Sequence, residues 1–148
     1  MTLKFRNLDI SPDQPVTDWP AEAVLTALER GSLGDWRRLV RAVQQDPWGR
    51  TARQIEQALA LSRPYGIALA MERVIEQARR EKTERERRDV AERVRELIAA
   101  SGLGRTEFAE HIGTSPSRLS TYATGKVVPS ATLLMRMQQL AQRCRQAG

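Results

Sequence analysis

The sequence predicts an all-α protein with a small N-terminal helical domain, a long connecting helix and a C-terminal domain of short helices. Three observations predict it. Apolar residues recur at intervals of three and four along most of the chain, the spacing that places them on one face of a helix. Glycine and proline cluster where that spacing breaks, as in "SPDQP", "DPWG", "SRPYG" and "SGLG". Between Pro64 and Ala100 only Gly66 interrupts a helix, and it stands at the start. A length of 148 residues holds one ordinary domain or two small ones, and 28% charged residues suit a helix-rich fold.

The elements follow in order. Residues 1–18 read as an irregular arm: "LKF" is compatible with a short edge strand, and the two prolines of "SPDQP" stop any regular element. A first helix begins near Asp18 or Trp19 with Pro20 in its first turn, buries Ala21, Val24, Leu25 and Leu28, and ends at Gly31. A second runs from about Gly34 to Gln45 and buries Trp36, Leu39, Val40 and Val43. A third, from about Thr51 to Leu61, presents Ala52, Ile55 and Leu59. Trp19, Trp36, Trp48 and Tyr65 are expected to supply this domain's core; a ligand cage is the alternative. The next helix has an apolar face at Met71, Val74, Ile75 and Ala78 and then a run without apolar residues, Arg79–Asp89. The pairs Glu81/Arg85, Glu84/Arg88 and Asp89/Arg93 stand at the i,i+4 spacing that supports a helix. The run has no apolar seam for a coiled coil and its charges cancel, so it reads as a solvated connector. The expected division is therefore 1–78, 79–89 and 90–148.

Composition narrows the function. No run approaches eighteen apolar residues, so no membrane span is expected, and "MTLKFRNLDISPDQP" has no apolar core of signal-peptide length. With a single cysteine, Cys144, the sequence points to the cytoplasm. The net charge is +6, and Arg outnumbers Lys 21 to 3. The arginine bias can reflect genome composition, so its position matters more. Residues 81–100 balance six basic against six acidic side chains. From Ser101 onward Arg105, Arg118, Lys126, Arg136, Arg143 and Arg145 face only Glu107 and Glu110, as a phosphate-facing module requires. One histidine and one cysteine leave too little for a metal or nucleophile site. His111 reads as a solvent- or phosphate-side residue, so no catalytic residue, metal or cofactor is assigned and an enzyme is rejected.

The informative stretch is "RTEFAEHIGTSPSRLSTYATGK", Arg105–Lys126. After a helix carrying Val90, Val94, Leu97 and Ile98, a short helix from Thr106 to Ile112 turns Phe108, Ala109 and Ile112 inward. Gly113 takes a left-handed turn, Ser115 caps the next helix and Pro116 fits its first turn. Leu119 and Tyr122 hold that helix against its neighbour, while Ser117, Arg118, Ser120, Thr121 and Thr124 remain on its other face. Short hydroxyl side chains there allow close approach to base edges or phosphates.

The segment "TEFAEHIGTSPSRLSTYATGKVVPS" resembles the Cro/C1-type (XRE) helix-turn-helix family, over roughly Val90–Ala141. Phe108, Ala109, Ile112, Gly113, Leu119 and Tyr122 fill the motif's core positions. The resemblance implies a five-helix-type domain, with four full helices here, that binds the major groove of double-stranded DNA as a homodimer on a palindromic site. It implies base reading by Pro116, Ser117 and Thr121. It implies phosphate contacts from Arg105, Ser115, Arg118, Ser120, Thr124 and Lys126. Pro116 departs from the pattern, since its ring nitrogen donates nothing and it can offer only apolar contact, as to a thymine methyl. The N-terminal half looks like the extension of actinobacterial regulators of this class. The expected function is a transcriptional regulator, a repressor, that inserts Pro116–Ala123 into the groove. The alternative is an antitoxin that binds a toxin through the N-terminal domain and represses its own operon. For dimerisation the candidate surfaces are the N-terminal apolar helices and the last helix, with Leu133, Leu134, Met137, Leu140 and Ala141.

Overall fold

A computed structural model describes residues 3–6 and 8–148. Among the described residues the protein has a 3₁₀ turn (Val16–Asp18) and seven α-helices: α1 (Ala21–Arg30), α2 (Leu33–Gln45), α3 (Arg50–Leu61), α4 (Ile67–Ser101), α5 (Arg105–Ile112), α6 (Pro116–Thr124) and α7 (Ala131–Ala147). It is all-α, with no strand among those residues. The chain divides into two compact units, Met1–Lys82 and Thr83–Gly148, with α4 continuous through the division.

In the first unit, α1 and α3 pack together, with α2 against both. The buried arc of α1 is Ala23, Val24, Ala27 and Leu28. Ala21 and Leu25, expected inside, are half-buried at the edge of that arc, where with Ala58, Ala60 and Leu61 they line a groove. Gly31 ends α1 in extended backbone, not in a left-handed turn. Glycine is required for closeness, since a Cβ would lie 2.3 Å from the Ala27 carbonyl oxygen. The start of α2 is fixed by a capping box: the Ser32 hydroxyl accepts the Asp35 N–H and the Asp35 carboxylate accepts the Ser32 N–H at 2.8 Å.

The expectation of four core aromatics needs correction. Trp19 is fully buried, stacks edge-on against Phe5 at 5.0 Å and donates to Gln14 O at 3.1 Å. Trp36 is half-buried and donates to Ala27 O at 2.8 Å. Trp48 and Tyr65 are exposed because both sit in turns, beyond the faces that the helices bury. Arg79 and Lys82 lie over the Trp48 ring at 5.9 and 6.0 Å.

Met1, Thr2 and Asn7 of the expected arm lie outside the described residues, and the remainder is pinned. Leu3 is buried, Phe5, Leu8 and Ile10 pack against the core, and the Arg38 guanidinium donates to Pro12 O at 2.7 Å and Gln14 O at 2.9 Å. Leu3–Phe5 form no strand. No strand among the described residues is available to pair with them, and the segment is held by side chains instead.

In α4, Met71, Ile75 and Ala78 are buried in the first unit and Val94, Leu97 and Ile98 in the second, while Thr83–Asp89 are all exposed. None of the pairs Glu81/Arg85, Glu84/Arg88 or Asp89/Arg93 closes to a salt bridge; Arg80–Glu76 at 2.8 Å and Arg93–Glu96 at 3.4 Å do. Exposed pairs gain little over hydration, so spacing alone does not decide which ones close. Arg79 turns back on the first unit, pairing with Glu56 and donating to Pro47 O at 2.9 Å.

The second unit is built on Val94, Leu97, Phe108, Ile112, Leu119, Met137 and Leu140. This corrects the expectation for the last helix. Met137, Leu140 and Ala141 are buried in their own domain and Leu133 and Leu134 pack partly against it. Four short helix faces close around one core, and the apolar side of α7 supplies its lid. No helix among the described residues is long and apolar enough to cross a membrane.

Candidate nucleic-acid interface

Two left-handed glycines frame the region. Gly113 ends α5 at φ 79°, and its N–H and that of Thr114 return to the carbonyls at the helix end, with Thr114 N to Ala109 O at 3.0 Å. Gly125 ends α6 at φ 81°. There a Cβ would also come within 3.4 Å of the Ala91 side chain, so the end of α6 lies close on α4.

Between them, Ser115 caps α6, its hydroxyl accepting the Arg118 N–H at 3.2 Å, and Pro116 takes the first helical position. Leu119, Tyr122 and Ala123 are buried against the core, beside Phe108, Ala109 and Ile112 of α5. Ser115, Pro116, Ser117, Arg118 and Thr124 are exposed, and Ser120 and Thr121 are half-buried. The expected residues thus share one helix and its non-core side, with the N-terminal turn standing farthest into solvent. Some hydroxyls already have partners: Thr121 Oγ1 donates to Arg118 O at 2.6 Å and Thr124 Oγ1 to Thr121 O at 3.3 Å. Their lone pairs stay open to donors such as the amino groups of adenine or cytosine.

Arg105 is the first residue of α5 and is exposed. Its helix has no side-chain cap, so first-turn N–H groups remain for an anion. Lys126, just past Gly125, is exposed as well. His111 is exposed on the last turn of α5. Among the described residues no three histidine, cysteine or acidic side chains gather to hold a metal ion.

Two arginines brace the motif: Arg95, not among the expected site residues, and Arg136, expected only as part of the basic surplus. From α4, Arg95 Nη1 donates to Ala123 O at 2.5 Å, at the carbonyl end of α6. From α7, Arg136 Nη1 donates to Ile112 O at 3.3 Å, at the carbonyl end of α5. Each places positive charge where a helix dipole is negative. Both lie far along the chain from the carbonyl they reach, so no local pattern signals either contact.

Residues 77–146 match a sequence family described as "Helix-turn-helix domain". The matched range begins within α4 and takes in α5, α6 and α7. No curated protein and no solved structure matches the chain.

Proposed function

From the premise that residues 77–146 are a helix-turn-helix domain, consistent with the Cro/C1 type, we propose a sequence-specific transcriptional regulator, acting as a repressor. It inserts Pro116–Ala123 into the major groove of double-stranded DNA. Ser117 and Thr121 read base edges, and Pro116 offers apolar contact. Arg105, Ser115, Arg118, Ser120, Thr124 and Lys126 contact the backbone, and no residue is given a catalytic role. The observation that carries this reading is the split of α6. One side is consumed by the core, and the other presents small polar side chains at a turn bordered by arginine and lysine. Folding alone does not call for that second side.

We propose further that the protein acts as a homodimer on an inverted repeat. One helix this short reads too few base pairs to reach the roughly 10⁻⁸ M affinity of specific regulators, which pair two helices about 34 Å apart. Met137, Leu140 and Ala141 of α7 are buried in their own domain, which favours the first unit for the dimer contact. There the α1–α3 groove and the largely exposed Leu61 leave apolar surface open. The same surface serves the alternative reading of an antitoxin holding a partner protein. Mass measurement of the full-length protein alone and on a selected duplex tests the pairing. Two copies per inverted repeat support it, and one copy bound tightly to a half-site excludes it.

A further inference from the structure

A polar cavity of about 340 Å³ opens on the flank of α6. Its wall is made by Thr114 from the turn, Arg118 and Tyr122 from α6, and Thr132 and Arg136 from α7. Three features set it apart. Two guanidinium-bearing side chains from different helices line it, and no acidic side chain does. Among the described residues neither Arg118 nor Arg136 pairs with a carboxylate. Tyr122 is only 7% exposed, and it lines the same cavity.

Two cations drawn to one cavity repel. A phosphate relieves that repulsion. Guanidinium groups hold phosphate through paired, charge-assisted hydrogen bonds, and a phenol donates to the remaining oxygen. Arg118 and Tyr122 stand four residues apart on α6, so the cavity runs along the side of the helix proposed to enter the groove. An anion held there belongs to the backbone bordering that groove.

We propose that Arg118, Tyr122 and Arg136 form a clamp for one DNA backbone phosphate, with the Thr132 hydroxyl at its rim. This rests on the DNA-binding reading and adds to it a residue from α7 and one from the motif's own core. Arg136 then has two duties, because the guanidinium that steadies Ile112 O has further N–H groups for the phosphate.

The test is a salt titration of the full-length protein on a mixed-sequence duplex, with a melting curve for each variant. Arg136→Ala is expected to lower the log–log salt slope by about one unit, since one fewer counterion is released. Arg136→Lys keeps the charge and should keep the slope. Tyr122→Phe removes only the hydroxyl, leaving the slope alone and weakening binding about three- to tenfold at every salt concentration. Arg143→Ala, an exposed arginine about two turns farther along α7, should leave the slope unchanged. An unchanged slope in folded Arg136→Ala, or an equal drop in Arg143→Ala, overturns the clamp while leaving the DNA-binding reading standing. Tyr122→Phe binding with wild-type affinity also overturns it. If inorganic phosphate shifts the melting temperature of wild type but not of Tyr122→Phe, and the Arg136→Ala slope is unchanged, the cavity holds a free anion and not the backbone. A wild-type protein that binds no duplex at any salt concentration removes both readings.

Discussion

The two units of this chain stabilise small helical cores by different means. In the first, one large side chain organises the centre, and an irregular arm is tied to it. Trp19 is enclosed by Phe5 and the Arg38 guanidinium, which lies 5.0 Å from its ring centroid, and its carbonyl accepts from the buried Gln54 amide at 2.9 Å. In the second, no tryptophan is present. Short helices end in left-handed glycines, and arginines from α4 and α7 cap their carbonyl ends. The first arrangement leaves an apolar groove facing solvent, the second a row of hydroxyls. A surface that folding accounts for carries little functional information. A row of serines and threonines on a helix braced from behind is not explained by folding, and it carries the proposed DNA-binding role.

The comparison can be broken most sharply at the two largest buried rings. Trp19→Ala and Phe108→Ala each remove a fully buried aromatic, a change that costs about 3–5 kcal/mol. If the units are separately stable, Trp19→Ala raises amide hydrogen exchange in α1–α3 and leaves α5–α7 protected, with mixed-sequence DNA binding retained. Phe108→Ala gives the reverse pattern and abolishes DNA binding. Loss of protection throughout the chain in either variant contradicts the division.

Two glycines sharpen the contrast at smaller magnitude. Gly113 needs a positive φ, so Gly113→Asn should be tolerated better than Gly113→Ala, which loses about 1–2 kcal/mol. Gly31 has an ordinary φ but no room, because a Cβ would lie 2.3 Å from the Ala27 carbonyl oxygen. Asparagine there should be no better than alanine. Thermal melts of the four variants decide it, and equal losses at both sites would contradict these separate roles.

A smaller effect is expected at Arg95. Its contact with Ala123 O steadies α6 from within the protein, so Arg95→Ala should cost about 1 kcal/mol of stability and leave the DNA salt slope unchanged. A slope lower by a full unit would reassign it to a phosphate.

Much of this was legible in the sequence, and unevenly. Among the described residues, helical spacing located the first six helices to within a few residues, because a glycine, a proline or a cap marks each break; of the last helix it read only the apolar side. The motif core was readable, since Phe108, Ala109, Gly113 and Leu119 meet local requirements within one short stretch. What escaped depends on the third dimension. Trp48 and Tyr65 read as core by residue type, but the turns that carry them leave both side chains exposed. The apolar side of α7 read as surplus because the size of the core it covers is set by helices elsewhere in the chain. The pairs Glu81/Arg85, Glu84/Arg88 and Asp89/Arg93 were correct in spacing but do not close, and Arg95 and Arg136 act across more than twenty residues.

The central claim is that α6 reads DNA sequence through its outer face, and selection from a random duplex library measures this most directly. Full-length wild type and Thr121→Ala would be carried through the same rounds. Thr121 is half-buried and its hydroxyl bonds only within its own helix, so the substitution should leave the fold intact. A lost base contact removes about 1–3 kcal/mol of discrimination. The account predicts that wild type recovers an inverted repeat, and that Thr121→Ala recovers one relaxed or altered at a single symmetry-related position in each half-site. Recovery of the same motif at the same stringency by both proteins would remove Thr121 as a reader. Recovery of no motif by wild type would contradict sequence-specific binding altogether.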